Sequence, residues 1–309
     1  MRLNLELSPQ LAITFGKNRI DKIDVLLFFS MIAIGSIGLC IITLNSWFWH
    51  YPGNNYFPDN TLCAFLVLLL TWLGCSLVFS NRASITYSIQ ETLIFFIVLC
   101  CIAWMTNAVQ FTPFIPIDDK IIHLEKTLHI HLLSIISWTN QFPTLINVLQ
   151  IAYSSLGYQM AFLPLYCITQ KQYHRLHRYY CLLLLTTLLG FTSYYFFPTT
   201  APASHLHSAL FTVDQHATGL KFYQIHHGIR PSTIDGGLIA LPSYHTIWAL
   251  LLLYLGFPHK RLFFLGLLPL NILLIAACFC LGWHYVLDIL AGGLVVCASG
   301  LAIRFYVRK

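Results

Sequence analysis

Two short polar motifs carry the residue types that could move a phosphate group. One is Pro-Ser-Tyr-His at 242–245, and the other runs from His284 to Asp288 as His-Tyr-Val-Leu-Asp. Residues i and i+4 lie one above the other on a helix, so Asp288 is predicted to accept the Nδ1 proton of His284. That contact would leave Nε2 free as a nucleophile or base. His245 would be the second titrating group, which gives a proton to the leaving oxygen.

Groups that could bind phosphate surround the same motifs. Pro242 suits the first position of a helix, so the free amides behind it could bind phosphate oxygens. The Ser243 hydroxyl and the adjacent Tyr244 side chain are predicted to join them. Arg230 offers a planar fork for bidentate phosphate binding, and Lys221 is a second cation in the same loop. We therefore expect these four side chains to form the substrate phosphate site beside His284, His245 and Asp288.

The composition indicates that membrane helices position these residues. The chain is 57% hydrophobic and 9% charged, with a mean hydropathy of +0.71, whereas a soluble domain carries about 25% charged residues. A membrane-spanning helix needs about 20 apolar residues. The sequence predicts an all-α polytopic membrane protein with about eight such helices, at 25–44, 62–80, 91–110, 145–168, 179–197, 240–257, 262–281 and 285–305.

The distribution of Lys and Arg predicts the orientation of these spans. With a cytoplasmic N-terminus, only four of these residues fall outside, namely Lys120, Lys126, Lys221 and Arg230. The inside segments hold Arg2, Lys17, Arg19, Lys22, Arg82, Lys171, Arg175, Arg178, Lys260, Arg261, Arg304, Arg308 and Lys309. This positive-inside bias places both termini in the cytoplasm and both motifs on the periplasmic or lumenal face. It also accounts for the net charge of +6 without a nucleic-acid partner.

Two polar segments complete the outer face. Segment 118–138 repeats apolar residues at helical spacing between charged ones, which predicts an amphipathic helix on the outer interface, or else an ordinary surface helix. The loop 198–239 is rich in Pro, Gly, His, Ser and Thr, and loops of this length are often functional. All ten cysteines fall in apolar stretches, so we expect neither disulfides nor a thiolate metal site.

The motif sequences resemble a known family. DGGLIALPSYHTIWALLLLY at 235–254 and GWHYVLDILAGG at 282–293 are similar to the type 2 phosphatidic acid phosphatase (PAP2) superfamily. The likeness is greatest to the branch that includes inositol phosphorylceramide synthases, and YYFFPTTAP at 194–202 resembles a further motif of that branch. The resemblance covers roughly 91–305. It implies a six-helix catalytic core at 89–309, with a tail and two additional membrane helices at 1–88.

The resemblance also implies a mechanism. His284 would attack phosphorus and form a phosphohistidine, Asp288 would orient His284, and His245 would protonate the departing alcohol. Water or an acceptor alcohol would then take the phosphoryl group from the enzyme. The substrate would be a lipid phosphate or phospholipid in the bilayer, and the scheme needs no metal or other cofactor.

The chain departs from the family pattern at three positions. Tyr223 stands where the phosphatase pattern has a Lys, Tyr244 where Gly is common, and Cys278 where an Arg is usual. The synthase-like branch also lacks that Arg. His226 and His227 could supply the missing positive charge, or they could simply belong to the structure of the loop.

Two readings from other classes remain open at this point. The polar groups could form the gate of a transporter, although no pair of broken half-helices is evident. Alternatively, the loop could bind a metal through its histidines, but it offers no recognisable set of acidic or thiolate partners. These histidines are His205, His207, His216, His226 and His227. Within the enzyme reading, hydrolysis and head-group transfer are both compatible with the sequence.

Overall fold

The computed structural model describes residues 22–50, 53–79 and 83–308, and these ranges contain helices and no strand. The predicted tail up to residue 21, together with Arg82 and Lys309, lies outside the described residues. The helices, in chain order, are α1 Lys22–Trp49, α2 Thr61–Val78, α3 Ser84–Val109, α4 Asp118–Thr127, α5 Leu132–Thr139, α6 Pro143–Thr169, α7 Tyr173–Phe196, α8 Val213–His226, α9 Tyr244–Gly256, α10 Lys260–Cys280 and α11 Val286–Arg308.

Six of these helices are long and apolar enough to cross a membrane, namely α1, α2, α3, α7, α10 and α11. Large apolar side chains cover their outer surfaces. On α2 no residue is buried, and Leu62, Leu70 and Leu77 are each at least 65% exposed. Such a surface suits hydrocarbon rather than water. The chain is therefore an integral membrane protein.

The other two predicted spans, α6 and α9, also form helices, but neither has both the length and the hydropathy of the six. Helix α9 has 13 residues, and a rise of about 1.5 Å per residue makes it roughly 20 Å long, shorter than a hydrocarbon core. Helix α6 has 27 residues, but Asn147, Gln150 and Gln159 lower its hydropathy.

The helices pack into one bundle around α9. This helix contacts α6, α7, α10 and α11, while α1 packs against α3 and α7. The main apolar core lies between them and includes Tyr180, Leu183, Ile247, Leu251 and Leu274. A smaller cluster at one end joins α4 and α5 to the loops through Ile121, Ile136, Phe211 and Tyr285. The polar motifs lie between the two clusters.

Segment 118–138 forms two short helices rather than the single predicted helix. The chain breaks after α4, where His129 takes a positive φ of 58°, a conformation that a continuing α-helix does not allow. The faces also differ from the prediction, because Leu124 and Leu128 are exposed whereas Asp118 and Glu125 are buried. In the long outer loop, the structure places a short 3₁₀ turn at Pro202–Ser204 and the helix α8. A capping box of Thr212 and Gln215 starts α8.

Candidate active site

His284 lies in the connection between α10 and α11 and is 5% exposed. Its Nδ1 atom is 3.1 Å from the carbonyl oxygen of Ala240 and 3.4 Å from Oδ2 of Asp288. A carbonyl oxygen can only accept a hydrogen bond, so Nδ1 carries the proton and Nε2 of the neutral ring keeps its lone pair. The contact with Asp288 was predicted from the i, i+4 spacing, but the tautomer is also held by the main chain at Ala240.

Asp288 sits in the first turn of α11, whereas His284 precedes that helix. The spacing had predicted that the two residues share a helix, and the structure shows that they do not. Oδ2 of Asp288 accepts a hydrogen bond of 2.9 Å from the backbone N–H of Tyr285. This bond turns the carboxylate back over the start of the helix and toward the imidazole. Asp288 is fully buried, and its Oδ1 atom has no hydrogen-bond partner among the described residues.

His245 comes to the same end of the bundle from the first turn of α9. Its ring centroid is 5.6 Å from that of His284, with an angle of 62° between the rings. Tyr153 of α6 stacks on His245 at 4.2 Å, and the Tyr153 hydroxyl is 3.4 Å from Nδ1 of His245. Trp283 also stacks on Tyr153, with ring centroids 5.3 Å apart. The two imidazoles thus lie edge to face at the same end of the bundle.

Ser243 joins the two motifs through its backbone. Its N–H donates to the carbonyl oxygen of Asp288 at 3.0 Å. Its side chain is the N-cap of α9 and accepts from the N–H of Thr246 at 3.4 Å. Pro242 therefore precedes the cap instead of occupying the first helical position. The buried Ser243 hydroxyl serves the helix start, which differs from the predicted contact with phosphate.

Tyr244 points away from the two histidines. Its hydroxyl donates to the carbonyl oxygens of Thr186 and Thr187 at 3.1 and 3.3 Å, and its ring packs on Phe191 at 4.8 Å. Gly190 makes room for it, because a Cβ atom there would lie 2.4 Å from the hydroxyl. The side chain that was predicted to bind phosphate is thus a buried link between α9 and α7.

The two predicted cations of the loop have different surroundings. Lys221 is buried in α8, and its Nζ donates to the carbonyl oxygens of Ile234 and Gly236, each at 3.2 Å. Burial lowers the pKa of Lys221 to about 8. Arg230 is exposed and forms no hydrogen bond or ion pair with any described residue. The structure brings His284, Asp288, His245 and Ser243 together, whereas no contact connects Lys221 or Arg230 to them.

Two carboxylates that sequence reasoning had assigned to a surface helix lie behind the site. Asp118 is fully buried and accepts hydrogen bonds from the Thr200 N–H at 2.9 Å and the Tyr285 hydroxyl at 3.1 Å. Glu125 accepts from the N–H of Leu287 at 3.0 Å. Burial raises the pKa of Asp118 to about 6 and also raises that of Glu125. The sequence did carry a signal for this burial, because the seven-residue spacing of Asp118 and Glu125 places both on one helix face with Ile121.

The histidines of the outer loop line a separate cavity of about 520 Å³. Both ring nitrogens of His226 are 2.7 Å from main-chain carbonyl oxygens, those of Phe222 and Thr112. Nδ1 of His205 is 3.2 Å from a carboxylate oxygen of Asp119. Among the described residues, no group of three or more His, Cys, Asp or Glu side chains is arranged to hold a metal ion.

The fold and the site together define an integral membrane protein with two neighbouring imidazoles at one end of a helical bundle. A carboxylate orients one of these imidazoles. A family model described as the PAP2 superfamily matches residues 119–302, more than half of the chain, and the protein belongs to that superfamily. The matched region contains both motifs. Membership implies phosphatase or phosphotransferase chemistry in general and a phosphate-containing substrate. Searches of curated proteins and of solved structures each found no match.

Proposed function

We propose that the protein is a lipid phosphatase or phosphotransferase that works through a phosphohistidine at His284. The observation that carries this proposal is the orientation of His284. Its Nδ1 proton faces two acceptors, the Ala240 carbonyl and the Asp288 carboxylate, so Nε2 remains available for nucleophilic attack. The centroid of the His245 ring lies 5.6 Å from that of His284, so a second imidazole is close enough to exchange a proton with a group bound at His284.

In the proposed first step, Nε2 of His284 attacks phosphorus, and the bond from phosphorus to the leaving oxygen breaks. His245 donates a proton to that oxygen, so the product leaves as a neutral alcohol. His284 becomes an N-phosphorylated ring that still carries its Nδ1 proton, and the positive charge is balanced by Asp288. In the second step His245 takes a proton from water or an acceptor alcohol, whose oxygen attacks phosphorus and releases His284.

The phosphate oxygens also need positive charge. Arg230 is exposed and has no partner among the described residues, so its guanidinium is free to bind an incoming phosphate in a bidentate manner. Lys221 holds the loop at Ile234 and Gly236, which leads from Arg230 to α9. We therefore propose that Arg230 contacts the substrate and that Lys221 acts chiefly by shaping this loop.

We further propose that α6 and α9 cross the membrane with the six long apolar helices. This arrangement gives eight spans, with both termini cytoplasmic and the histidines on the periplasmic or lumenal face. The Lys and Arg bias supports it, as does the location of His245 and His284 at one end of the bundle. In this proposal residues 89–309 form the catalytic core, and 1–88 add two helices.

Head-group transfer is the alternative within the same chemistry. Cys278 stands where the phosphatase pattern has an arginine, and it is buried with its thiol 3.4 Å from the carbonyl oxygen of Leu274. The site thus lacks one phosphate-binding cation, as in the branch that includes inositol phosphorylceramide synthases. This feature favours a lipid phosphodiester donor and an acceptor alcohol. A transporter with a non-catalytic polar gate is the alternative from another class.

The test compares wild type with His284→Ala and His245→Ala, purified in detergent and supplied with phosphatidate, a polyprenyl diphosphate and a phospholipid. Free phosphate and new lipid products are both followed. We expect either substitution to reduce turnover by at least about a thousandfold. Only the protein that retains His284 should form an acid-labile phosphoenzyme. The matched control is His207→Ala, because His207 is exposed in the outer loop.

The product identifies the reaction. Released phosphate would indicate hydrolysis, and an exchanged head group would indicate transfer. Equal turnover by wild type and folded His284→Ala would contradict the proposal, as would the absence of turnover on all three lipids. Gradient-driven transport that persists in His284→Ala would support the transporter.

A further inference from the structure

A second cavity lies among the membrane helices at the opposite end of the bundle. It has a volume of about 470 Å³, lies between α7, α9 and α11, and is called the basic cavity here. Three arginines line it, namely Arg178, Arg304 and Arg308. None of the described residues that line it is acidic. Its remaining wall is largely apolar and includes Leu182, Leu251 and Ile303.

No carboxylate among the described residues forms an ion pair with the arginines of this cavity. The Nε atom of Arg178 is buried and has no hydrogen-bond partner among the described residues. Two carboxylates at this end of the bundle, Asp24 and Glu91, both bind His177 instead. A buried guanidinium N–H without an acceptor is costly. The cavity therefore offers an anion the positive charge of three guanidinium groups.

The walls of the basic cavity are held in place by neighbouring cations. The guanidinium of Arg175 donates to the carbonyl oxygen of Tyr254 and lies 4.6 Å from the centroid of its ring. Nζ of Lys22 donates to the carbonyl oxygen of Val307 at 3.4 Å. Tyr254 and Val307 both line the cavity. These contacts hold two of the lining residues in place.

The basic cavity is separate from the candidate active site. Asp288 is in the first turn of α11 and Arg308 is its last residue, so about 20 residues at a rise of about 1.5 Å place them roughly 30 Å apart. A substrate phosphate between the histidines therefore cannot reach the arginines. On the proposed topology, the basic cavity opens at the cytoplasmic face.

We propose that the basic cavity binds an anionic phospholipid as a second, non-catalytic site. The phosphate would accept hydrogen bonds from the three arginines, whose planar forks match phosphate oxygens. An acyl chain would lie along the apolar wall, which free phosphate could not use. Basic pockets between membrane helices on the cytoplasmic side are a general means of holding anionic head groups. This inference does not depend on the reaction at His284.

The test measures lipid binding to the full chain in detergent by native mass spectrometry, with His284→Ala as the parent so that no lipid is turned over. The probes are phosphatidylglycerol and, as a zwitterionic comparison, phosphatidylcholine. We expect Arg178→Gln to weaken phosphatidylglycerol binding about tenfold, because a charge-assisted hydrogen bond is lost. Arg304 is exposed, so Arg304→Gln should weaken phosphatidylglycerol binding without affecting folding. Arg261→Gln is the matched control, since it removes the same charge outside the basic cavity.

The outcomes separate specific binding from general attraction. Unchanged binding in both Arg178→Gln and Arg304→Gln would overturn the proposal. So would an equal loss in Arg261→Gln, which would indicate diffuse surface charge, or equal binding of phosphatidylcholine. Complete displacement of the lipid by inorganic phosphate at a similar concentration would show that the cavity takes free phosphate instead.

Discussion

At the scale of single residues, the candidate nucleophile is oriented by acceptors from two parts of the chain. Ala240 precedes the first motif, and Asp288 ends the second. A neutral imidazole has one N–H, and these two oxygens both attract it to Nδ1. When the ring gains positive charge in the proposed phosphoenzyme, the buried Asp288 carboxylate would stabilise it. Ala240 alone could preserve the tautomer but not balance that charge.

Asp118 provides a residue-scale prediction about pH. Burial raises its pKa from 3.8 to about 6, so between these pH values the folded protein binds more protons than the unfolded chain. The free energy of unfolding should therefore fall as the pH rises from about 4 to about 6 and then level off. A pKa shift of this size corresponds to about 3 kcal/mol. Asp118→Asn should lack this component, which thermal unfolding at a series of pH values would measure.

The control for Asp118 is its neighbour Asp119, whose side chain is 89% exposed. Asp119→Asn should keep the pH dependence of the wild type. Glu125 remains in all three proteins, and each variant loses one carboxylate, so the difference between the two variants isolates the effect of burial at Asp118. Identical slopes for Asp118→Asn and wild type between pH 4 and pH 6 would contradict the prediction.

At the scale of secondary-structure elements, the site depends on the close approach of α9 and α11. Gly292 of α11 faces the start of α9, and a Cβ atom there would lie 2.9 Å from the carbonyl oxygen of Ser243. A backbone atom cannot move aside as a flexible side chain can. The absence of a side chain at Gly292 thus permits the Ser243 N–H to reach the Asp288 carbonyl at 3.0 Å. This contact joins the start of α9, which carries His245, to the start of α11, which follows His284.

We expect Gly292→Ala to push the two helices apart. Overpacking of this kind costs about 1–3 kcal/mol, and the displacement should also reduce turnover because catalytic groups must hold their geometry. Gly293→Ala is a matched control, because a Cβ atom at Gly293 has nothing within 4 Å. The measurements are the apparent melting temperature and the phosphate or product yield. Equal melting temperatures and equal yields for the two variants would show that the close approach of α9 and α11 limits neither stability nor turnover.

The elements also show what the sequence could predict. Apolar runs are local, so all eight predicted segments form helices. The approach of His245 to His284 follows because two helices, α9 and α10, lie between them in the chain. The surroundings of Asp118 were not predictable in this way. Its partner Tyr285 is 167 residues away and Thr200 is 82 residues away, so no spacing rule connects them. Similarly, the inward turn of Tyr244 depends on the space left by Gly190 on another helix.

At the scale of the whole molecule, a partly buried ion cluster connects the N-terminal helices to the proposed core. His177 of α7 lies 2.6 Å from Asp24 of α1 through Nδ1 and 2.9 Å from Glu91 of α3 through Nε2. Because both ring nitrogens face carboxylates, the imidazole can satisfy both only as a cation that donates twice. The proposed boundary after residue 88 therefore separates sequence regions whose helices are held together by direct contacts.

The exposures of the two carboxylates predict how much each contributes to this connection. The Glu91 side chain is 2% exposed and that of Asp24 is 49% exposed. Breaking a buried pair costs about 3–5 kcal/mol, because the remaining charge is left without a partner, whereas an exposed pair contributes at most about 1 kcal/mol. Glu91→Gln should therefore lower the apparent melting temperature far more than Asp24→Asn does. Unfolding of Glu91→Gln should still occur in a single transition, because the contacts among α1, α3 and α7 would break together with those of the core. Equal effects of the two substitutions would contradict this prediction. A separate early transition in Glu91→Gln would show that the N-terminal helices unfold independently.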